Sequence, residues 1–294
     1  MALDAPGMPA PPVDGFVTQK TTPSRSCFRK QRRLWNPFDI SSTVYGITNV
    51  INSIVKAAQI LDLFRSNKSL SLKRIAELCG LHKTTAHSIV LTLLAQRYLS
   101  QSAATREYSL GPALFELGEI YRTNIDAYGI CLPIMRQLSQ KLNRTVQLSM
   151  LSGENVVYLA RVVTGDFLDF SVSDGVLVYA HCTASGKSML SLLDDADFDK
   201  LYPEEALPFR TNNSIRSKSK LKQELENVRA NGYAVDNQEA EAGLWGVGVS
   251  FKAAKLMAVS VSFTSRTVET ADMAHIIEQL RFTRDEIVEK IGSF

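Results

Sequence analysis

Hydrophobic residues recur at helical spacing in three successive stretches between residues 52 and 96. The first stretch predicts a helix over about residues 52–64. The second predicts a helix that begins after Ser71 as its N-cap and ends at Gly80, a residue suited to the left-handed C-terminal position. The third predicts a helix over about residues 83–96, only two residues further along the chain. So short a connection makes the two helices cross steeply, which is typical of a helix-turn-helix.

A short polar hairpin follows the three helices. Tyr98 and Leu99 predict one strand, residues 102–106 a turn, and residues 108–110 the returning strand, which together form a wing. In such modules the first turns of the third helix enter the major groove, and a wing contacts phosphates or a minor groove. The candidate DNA-contacting residues are Ser71, Lys73, His82, Lys83, Thr84, Thr85, His87, Ser88, Thr105 and Arg106. A helical bundle or a dimerisation module that never touches DNA would show the same pattern, and this alternative stays open.

The rest of the chain alternates strand and helix patterns. Helices are predicted over residues 112–121 and 128–142, and later over residues 184–193, 195–201, 218–231 and 268–291. Strands are predicted over residues 145–151, 155–163, 167–172, 244–251 and 256–264. This order favours an α+β protein whose second domain is a mixed α/β unit around one central sheet. The expected organisation is a proline-rich flexible tail (1–48), a winged helix-turn-helix (49–111), a linker helix (112–126) and a C-terminal domain (127–294).

Charge is divided unevenly along the chain. Residues 47–111 carry eight basic and three acidic side chains, whereas residues 112–294 carry nineteen basic and twenty-four acidic ones. The net charge of the whole chain, +3, hides this division. Positive charge is therefore concentrated where the DNA-reading pattern lies, as contact with phosphates requires.

Composition narrows the class of protein further. No apolar run approaches the ~20 residues of a membrane span, and the N-terminus lacks the basic start and apolar stretch of a secretory signal. We therefore expect a cytoplasmic protein that has no membrane partner. The four cysteines, Cys27, Cys79, Cys131 and Cys182, are far apart, which favours reduced thiols over disulfides or a zinc site. No catalytic motif, metal site or cofactor loop is expected.

Two segments of the C-terminal half are candidates for ligand chemistry. In residues 181–188, Thr183 can cap the following helix, and the small residues after it leave backbone N–H groups accessible to an anion. Gly186-Lys-Ser resembles the end of a phosphate-binding loop, but that motif requires glycine where His181 stands, so nucleotide binding is rejected. In the second segment, strand alternation places Ser260 and Ser262 on one sheet face, where they could orient a polar ligand.

Taken together, the motifs resemble the IclR family of bacterial transcription regulators over about residues 50–290. Three segments carry the resemblance: LSLKRIAELCGLHKTTAHSIVLTL with YSLGPALFELG, AHCTASGKSMLSLL, and VRANGYAVDNQEAEAGLWGVGVSF followed by AVSVSF. The resemblance implies a winged helix-turn-helix, a linker helix, a GAF/PAS-like effector domain, and a homodimer or dimer of dimers on two-fold operator DNA.

The resemblance also implies an effector and a place for it. Family effectors are commonly small organic acids, including aromatic and sugar-derived acids. Carried onto this sequence, the effector positions are Phe170, Val178, Ala184, Ser185, Asp236, Gly246, Ser260 and Ser262. The chain departs from the family pattern at three positions. Ser88 stands in place of arginine, Gly246 in place of cysteine, and Arg97 in place of a glycine, which implies a left-handed backbone strained by ~1 kcal/mol.

The expected function is that of a transcription regulator, and not of an enzyme, that binds operator DNA and senses a small organic acid. Two alternatives remain open. One is a ligand-independent DNA-binding or interaction protein of the same fold. The other is an enzyme that uses the winged helix only to dimerise, although the sequence shows no glycine-rich cofactor loop in a suitable context.

Overall fold

The computed structural model describes residues 50–163, 177–264 and 270–292, and its first part is a helical module closed by a hairpin. The elements are α1 (Asn52–Asp62), a 3-10 turn (Leu63–Arg65), α2 (Leu72–Cys79), α3 (Lys83–Ala95), β1 (Leu99–Gln101) and β2 (Tyr108–Leu110). Strands β1 and β2 pair antiparallel. Ile60, Ile75, Val90 and Leu99 are buried in a core that belongs to this module alone. Three helices and a hairpin around one core form the predicted winged helix-turn-helix.

Two helices lead from this module into the rest of the chain, α4 (Pro112–Thr123) and α5 (Asp126–Leu142). Pro112 occupies the first turn of α4, where its missing N–H and fixed φ are tolerated. α4 buries none of its residues. Phe115, Leu117 and Ile120 are 71, 51 and 57% exposed. Within the described part of the chain, α4 therefore presents an uncovered apolar surface.

The C-terminal part is built on one antiparallel sheet. Its strands are β3 (Thr145–Ser152), β4 (Asn155–Val162), β5 (Leu177–Tyr179), β6 (Ala234–Asn237), β7 (Leu244–Lys252) and β8 (Leu256–Thr264). They are ordered β5-β4-β3-β8-β7-β6. Every neighbouring pair is antiparallel. The helices of this part are α6 (Ala184–Leu190), α7 (Asp195–Leu201), α8 (Lys218–Asn231) and α9 (Thr270–Gly292).

Helices cover both faces of this sheet. On one face α5 and α9 pack over a core that includes Met135, Val249 and Leu280. On the other face α6 packs on β7 and β8, beside a second core that includes Met189 and Leu221. A sheet between helical layers, preceded by a winged helix-turn-helix, confirms the predicted α+β class and its GAF/PAS-like second domain. Among the described residues, no helix is both long and apolar enough to cross a membrane.

The structure differs from the sequence predictions mainly in short elements. β5, β6 and a 3-10 turn at Ala180–Cys182 were not predicted, because three or four residues are too few to show a periodicity. The helix expected over residues 184–193 ends at Leu190. In α1 the fully buried residue is Ile60, whereas Ile54, which belongs to the same helical repeat of apolar residues, is 63% exposed. The tail (1–48) and the strand predicted over residues 167–172 lie outside the described residues.

Candidate nucleic-acid interface and ligand cavity

Helix α2 is capped at both ends, and its C-terminal cap begins the turn into α3. The side chain of Ser71 accepts a hydrogen bond from the backbone N–H of Arg74 at 3.3 Å and so caps the helix. Gly80 adopts the left-handed conformation with φ 63°, and only two residues separate it from α3. Both capping predictions are confirmed, and the turn sets the direction of α3. Ser71, Lys73 and His82 are exposed around it.

The first two turns of α3 present a polar surface. Lys83, Thr84, His87 and Ser88 are exposed as predicted, whereas Thr85 is half-buried against the module, so only part of its side chain is accessible. The hydroxyl of Ser88 donates a hydrogen bond to the carbonyl oxygen of Thr84 at 3.1 Å. Its proton is therefore engaged within the helix, and only its oxygen lone pairs remain for an external donor.

The wing holds its tip in a defined conformation. Thr105 and Arg106 are exposed at the tip, and Arg106 has a left-handed backbone with φ 59°. Gln101 donates a side-chain hydrogen bond to the carbonyl of Arg106 at 2.9 Å, and the N–H of Thr105 donates to the hydroxyl of Ser102 at 3.2 Å. These bonds fix the backbone of the tip, and Arg106 is exposed to solvent there.

Arg97 joins the module to the linker helix. Its φ is 62°, which confirms the left-handed position predicted from the sequence. Its guanidinium forms an ion pair with Glu116 of α4. The Arg97 side chain, which a glycine would lack, thus connects the base of the wing to α4.

A cavity of about 50 Å³ lies on the sheet face that α6 covers. Strand register determines which residues face it. Ser262 pairs with Thr145 of β3 and with Gly246 of β7, and Gly246 pairs with Asp236 of β6. Because cross-strand partners share a face, these positions form one row across the sheet.

Most of the predicted effector residues converge on this cavity. It is lined by Val178, Ala184, Ser185, Asp236, Gly246, Ser260 and Ser262, together with residues that the sequence reasoning missed. Phe170 lies outside the described residues. Side chains separated by up to 84 positions in sequence thus meet in one place, although their role in binding stays a prediction.

The small residues after Thr183 are expected to leave backbone N–H groups accessible to an anion, but Gly186 does not serve this purpose. A Cβ at this position would lie 2.1 Å from the carbonyl oxygen of Ala180, so a small residue is required by packing and not by access of a ligand. The N–H of Gly186 is also already bonded to the Thr183 hydroxyl at 2.9 Å. Gly246 differs, since the nearest atoms to a Cβ there lie at 3.6 Å, an ordinary contact distance. Space at the cavity wall is therefore provided by Gly246.

Asp236 is the buried acid of the cavity. It is 5% exposed, and its Oδ1 accepts hydrogen bonds from the N–H groups of Glu239 at 2.7 Å and Ala240 at 3.4 Å. Burial raises the pKa of Asp236 to about 7, opposed by these N–H groups and by Lys187. Near neutral pH the carboxyl is thus poised between its protonated and ionised forms. It can serve a ligand as either donor or acceptor.

Three functional candidates on the cavity wall were missed: Tyr158, Arg161 and Arg210. Burial raises the pKa of Tyr158 to about 12, so its hydroxyl stays protonated beside the hydroxyl of Ser185. Arg210 is exposed at the rim and donates to the carbonyl of Ala240 at 2.8 Å. The sequence does carry one signal for Arg161, because it is a charged residue within the otherwise apolar strand that also contains Tyr158.

Lys187 supports the cavity from behind. Its side chain is 2% exposed, and its ammonium pairs with the carboxylates of Glu239 at 2.5 Å and Glu224 at 3.3 Å. Burial alone would lower the pKa of Lys187, but these two carboxylates raise it, so the side chain stays charged. The pair links α6 to α8 and to the turn that Asp236 caps. Lys187 is therefore already neutralised within the protein, in keeping with the rejection of a phosphate-binding loop.

The thiols of the described residues are free. Cys131 and Cys182 are buried, and burial raises the pKa of each to about 12, which keeps them protonated. Within residues 50–163, 177–264 and 270–292, no group of three or more His, Cys, Asp and Glu side chains is arranged to hold a metal ion.

Comparison with known proteins identifies both parts of the chain. The model of the IclR helix-turn-helix domain matches residues 53–103, and that of the bacterial transcriptional regulator IclR C-terminal domain matches residues 120–289. The chain belongs to the IclR family. It is therefore an IclR-type transcription regulator with a DNA-binding helix-turn-helix domain and a C-terminal effector-binding domain.

Individual IclR-family proteins are similar along most of the chain. The transcriptional regulator XynR of Escherichia coli is 30% identical, over 79% of this chain and 94% of XynR. A crystal structure of an IclR regulator from Alicyclobacillus acidocaldarius is 26% identical, with a TM-score of 0.71 over 81% of this chain and 98% of that one. An IclR homologue from Microbacterium hydrocarbonoxydans, crystallised with 4-hydroxybenzoate, is 18% identical, with a TM-score of 0.71 over 82% of this chain and 100% of that one. This last likeness shows the fold alone.

Proposed function

We propose that this IclR-family regulator binds operator DNA through α3 and the wing, and that a small organic acid in the cavity modulates that binding. The observation that carries the proposal is the convergence of seven effector positions on one cavity of a chain that also has an exposed polar α3. An effector acts by binding one conformation of the regulator more tightly than another.

On the DNA side, we assign two kinds of contact. Lys83, Thr84, His87 and Ser88 lie on the accessible surface of α3 and would meet base edges or nearby phosphates, with a smaller part for Thr85. Phosphate contacts are assigned to the exposed residues around them: Ser71, Lys73, His82, Thr105 and Arg106. The excess of basic over acidic side chains in residues 47–111 supports this assignment.

On the ligand side, the cavity combines apolar and polar walls, as sites for small organic acids do. Val178 and Leu244 supply apolar surface, while Ser260, Ser262 and Asp236 supply hydrogen-bonding groups. Ser262 donates to the side-chain oxygen of Gln147 at 3.1 Å, which fixes its orientation. A ligand with one acidic and one further polar group suits these walls.

The regulator is proposed to work as a homodimer or a dimer of dimers in the cytoplasm, where bacterial operator DNA is found. Phe115, Leu117 and Ile120 on α4, and Ile51 and Ile54 at the start of α1, are exposed apolar side chains of the kind that a second copy would bury. A two-fold dimer would place two α3 helices on two half-sites of an operator.

The rival functions make different demands on the cavity. An enzyme would have to use Asp236 or a serine of the lining as its base or nucleophile, whereas the relatives that the chain resembles, such as XynR, are named transcriptional regulators. A ligand-independent regulator of the same fold would leave the cavity without an occupant. We therefore propose a non-enzymatic sensor as the principal function.

The proposal is tested by measuring DNA binding and ligand binding in the same set of variants. DNA fragments from upstream of the gene are titrated by fluorescence anisotropy, with and without a panel of organic acids that includes 4-hydroxybenzoate. Combined Lys83→Ala and Thr85→Ala changes should weaken DNA binding and leave the thermal shift by acids unchanged. Ser260→Ala should do the reverse. Wild-type DNA affinity in the α3 variant would remove α3 as the DNA-reading helix, and no thermal shift with any acid would favour the ligand-independent regulator.

A further inference from the structure

Arg161 reaches the cavity because of an irregularity in β4. Leu148 of β3 pairs with Ala160, but the next residue, Ser149, pairs with Tyr158, so β4 contains one extra residue between the two pairs. Such a bulge reverses the alternation of side chains beyond it. Arg161 therefore shares the cavity face with Tyr158, whereas regular alternation would place it on the opposite face, among the side chains beneath α5.

The guanidinium of Arg161 has an unused edge. Its Nε and Nη2 atoms are buried, and among the residues that the structure describes neither has a hydrogen-bond partner. These two N–H groups lie side by side on a guanidinium, at the spacing of the two oxygens of a carboxylate. Buried polar groups are nearly always paired in native proteins, so an unpaired donor edge at a cavity wall indicates a missing acceptor.

The surrounding charges favour an acceptor with a single negative charge. Arg161 and Arg210 bring two cations to the cavity wall, but Asp236 and Glu241 line the same cavity. The phenol of Tyr158 interacts electrostatically with both arginines and with Asp236, which places these groups around one volume. A dianion such as a phosphate ester would face two carboxyl groups, whereas a monocarboxylate can pair with the arginine and keep clear of them.

The register also places a second polar group within a small ligand's length. Arg161 pairs with Gln147, and Gln147 pairs with Ser260 on the other side of β3. Two strand spacings amount to about 10 Å, and the arginine side chain spans part of that distance. The cavity between these residues therefore suits a small ligand that spans from Arg161 to Ser260.

We propose that Arg161 is the specificity-determining residue of the cavity, and that its Nε and Nη2 edge binds the carboxylate of a small hydroxy acid whose hydroxyl reaches Ser260 or Asp236. The inference rests on the proposed acid-sensing function and adds to it both a residue and a ligand class. The charged edge selects acids over their neutral analogues, because an amide offers no anion to the buried guanidinium.

The test compares acids with their primary amides in wild-type and variant proteins. Lactate, mandelate and 4-hydroxybenzoate, each beside its amide, are titrated by calorimetry into full-length wild-type, Arg161→Met, Arg161→Lys and Arg136→Met proteins. Arg136 is an exposed arginine of α5 and serves as the matched control. We expect Arg161→Met to lose acid affinity by roughly 10- to 100-fold, as for a charge-assisted pair. Arg161→Lys should lose less, and Arg136→Met should bind as the wild type does.

The outcomes distinguish a failure of the Arg161 assignment from a failure of acid sensing. Equal acid affinity in wild-type and Arg161→Met proteins would overturn the role of Arg161 and leave acid sensing intact. So would an equal loss for acids and amides, which would indicate a packing role. If wild-type protein binds DNA but none of the acids, acid sensing by these compounds fails, and the assignment of Arg161 falls with it. Unchanged DNA affinity of Arg161→Met shows that the variant is folded.

Discussion

The two candidate sites of this regulator are built in opposite ways. The proposed DNA-binding surface comes mainly from one short stretch of chain, α3 with the turn before it, and most of its polar side chains are exposed. The cavity draws on β3, β4, β5, β6, β7, β8 and α6, and its acid, Asp236, is buried. A contiguous exposed site depends on local capping and helix direction, whereas a dispersed buried site depends on sheet register. Changes at the cavity should therefore affect stability, and changes at the DNA surface should affect mainly binding.

The largest contrast is expected in the stability lost when a buried ion pair is broken, compared with an exposed one. Lys187→Met leaves the buried carboxylate of Glu239 without its cation, and breaking a buried pair in this way destabilises a protein by about 3–5 kcal/mol. In the DNA-binding module, Arg74→Met removes a pair with Glu77 whose side chains are 51 and 46% exposed, and this should change stability by at most about 1 kcal/mol. Urea unfolding of both variants measures the contrast.

A second variant distinguishes a broken pair from a cavity left by the shorter side chain. Lys187→Met combined with Glu239→Gln removes the uncompensated charge and should recover part of the lost stability. If the double variant is no more stable than Lys187→Met alone, the carboxylate is not the source of the loss.

The next largest effect is a pH dependence located at the cavity. Since burial raises the pKa of Asp236 from 3.8 to about 7, its ionised form costs stability. The cost is absent below about pH 4, grows as the pH rises to about 7, and then stays constant, with an upper limit of about 4 kcal/mol. Asp236→Asn keeps an oxygen acceptor for the N–H of Glu239 and removes the cost. The melting temperature of Asp236→Asn relative to wild type should therefore rise between pH 4.5 and pH 8.

Asp199 provides a control of opposite sign. Lys222 and Lys218 lower the pKa of this exposed carboxyl, so its ionised form favours folding once the pH exceeds the usual range of an aspartate. Asp199→Asn should therefore not gain stability relative to wild type as the pH rises. A parallel gain in both variants would show that the trend belongs to net charge and not to the burial of Asp236.

A smaller effect on stability is expected at two glycines within helices, where replacement by alanine should act in opposite directions. In α6, Gly186→Ala places a Cβ 2.1 Å from the carbonyl oxygen of Ala180, and such overpacking costs about 1–3 kcal/mol or more. In α4, a Cβ at Gly118 meets nothing within 4 Å, so Gly118→Ala should stabilise the helix by up to about 1 kcal/mol. Thermal unfolding should give shifts of opposite sign. A stabilising Gly186→Ala would mean that α6 can move away from Ala180 without cost.

The same contrast between a local site and a dispersed site explains which features the sequence could predict. Ser71, Gly80 and the short turn after them are local signals, and the structure shows each cap as predicted. Strand alternation placed Ser260 with Ser262 on one sheet face, family resemblance placed Asp236 beside them, and the cavity brings these residues together. Arg161 was missed because it faces the cavity only through the bulge in β4, and nothing in the alternation of that strand marks an extra residue.

The smallest effect should separate stability from binding within the wing itself. Arg106 has a left-handed backbone with φ 59°, so Arg106→Gly should relieve strain and raise stability by about 0.5–1 kcal/mol. The same change removes an exposed cation from the tip, and losing one phosphate contact should lower the salt dependence of DNA affinity by about 0.9 in log–log slope.

Arg97→Gly is the control, since its backbone is equally left-handed with φ 62°, but its guanidinium pairs with Glu116. An unchanged slope in Arg106→Gly, measured by anisotropy from 50 to about 200 mM salt, would show that the wing does not touch phosphate, and DNA contact would then be confined to the helix-turn-helix.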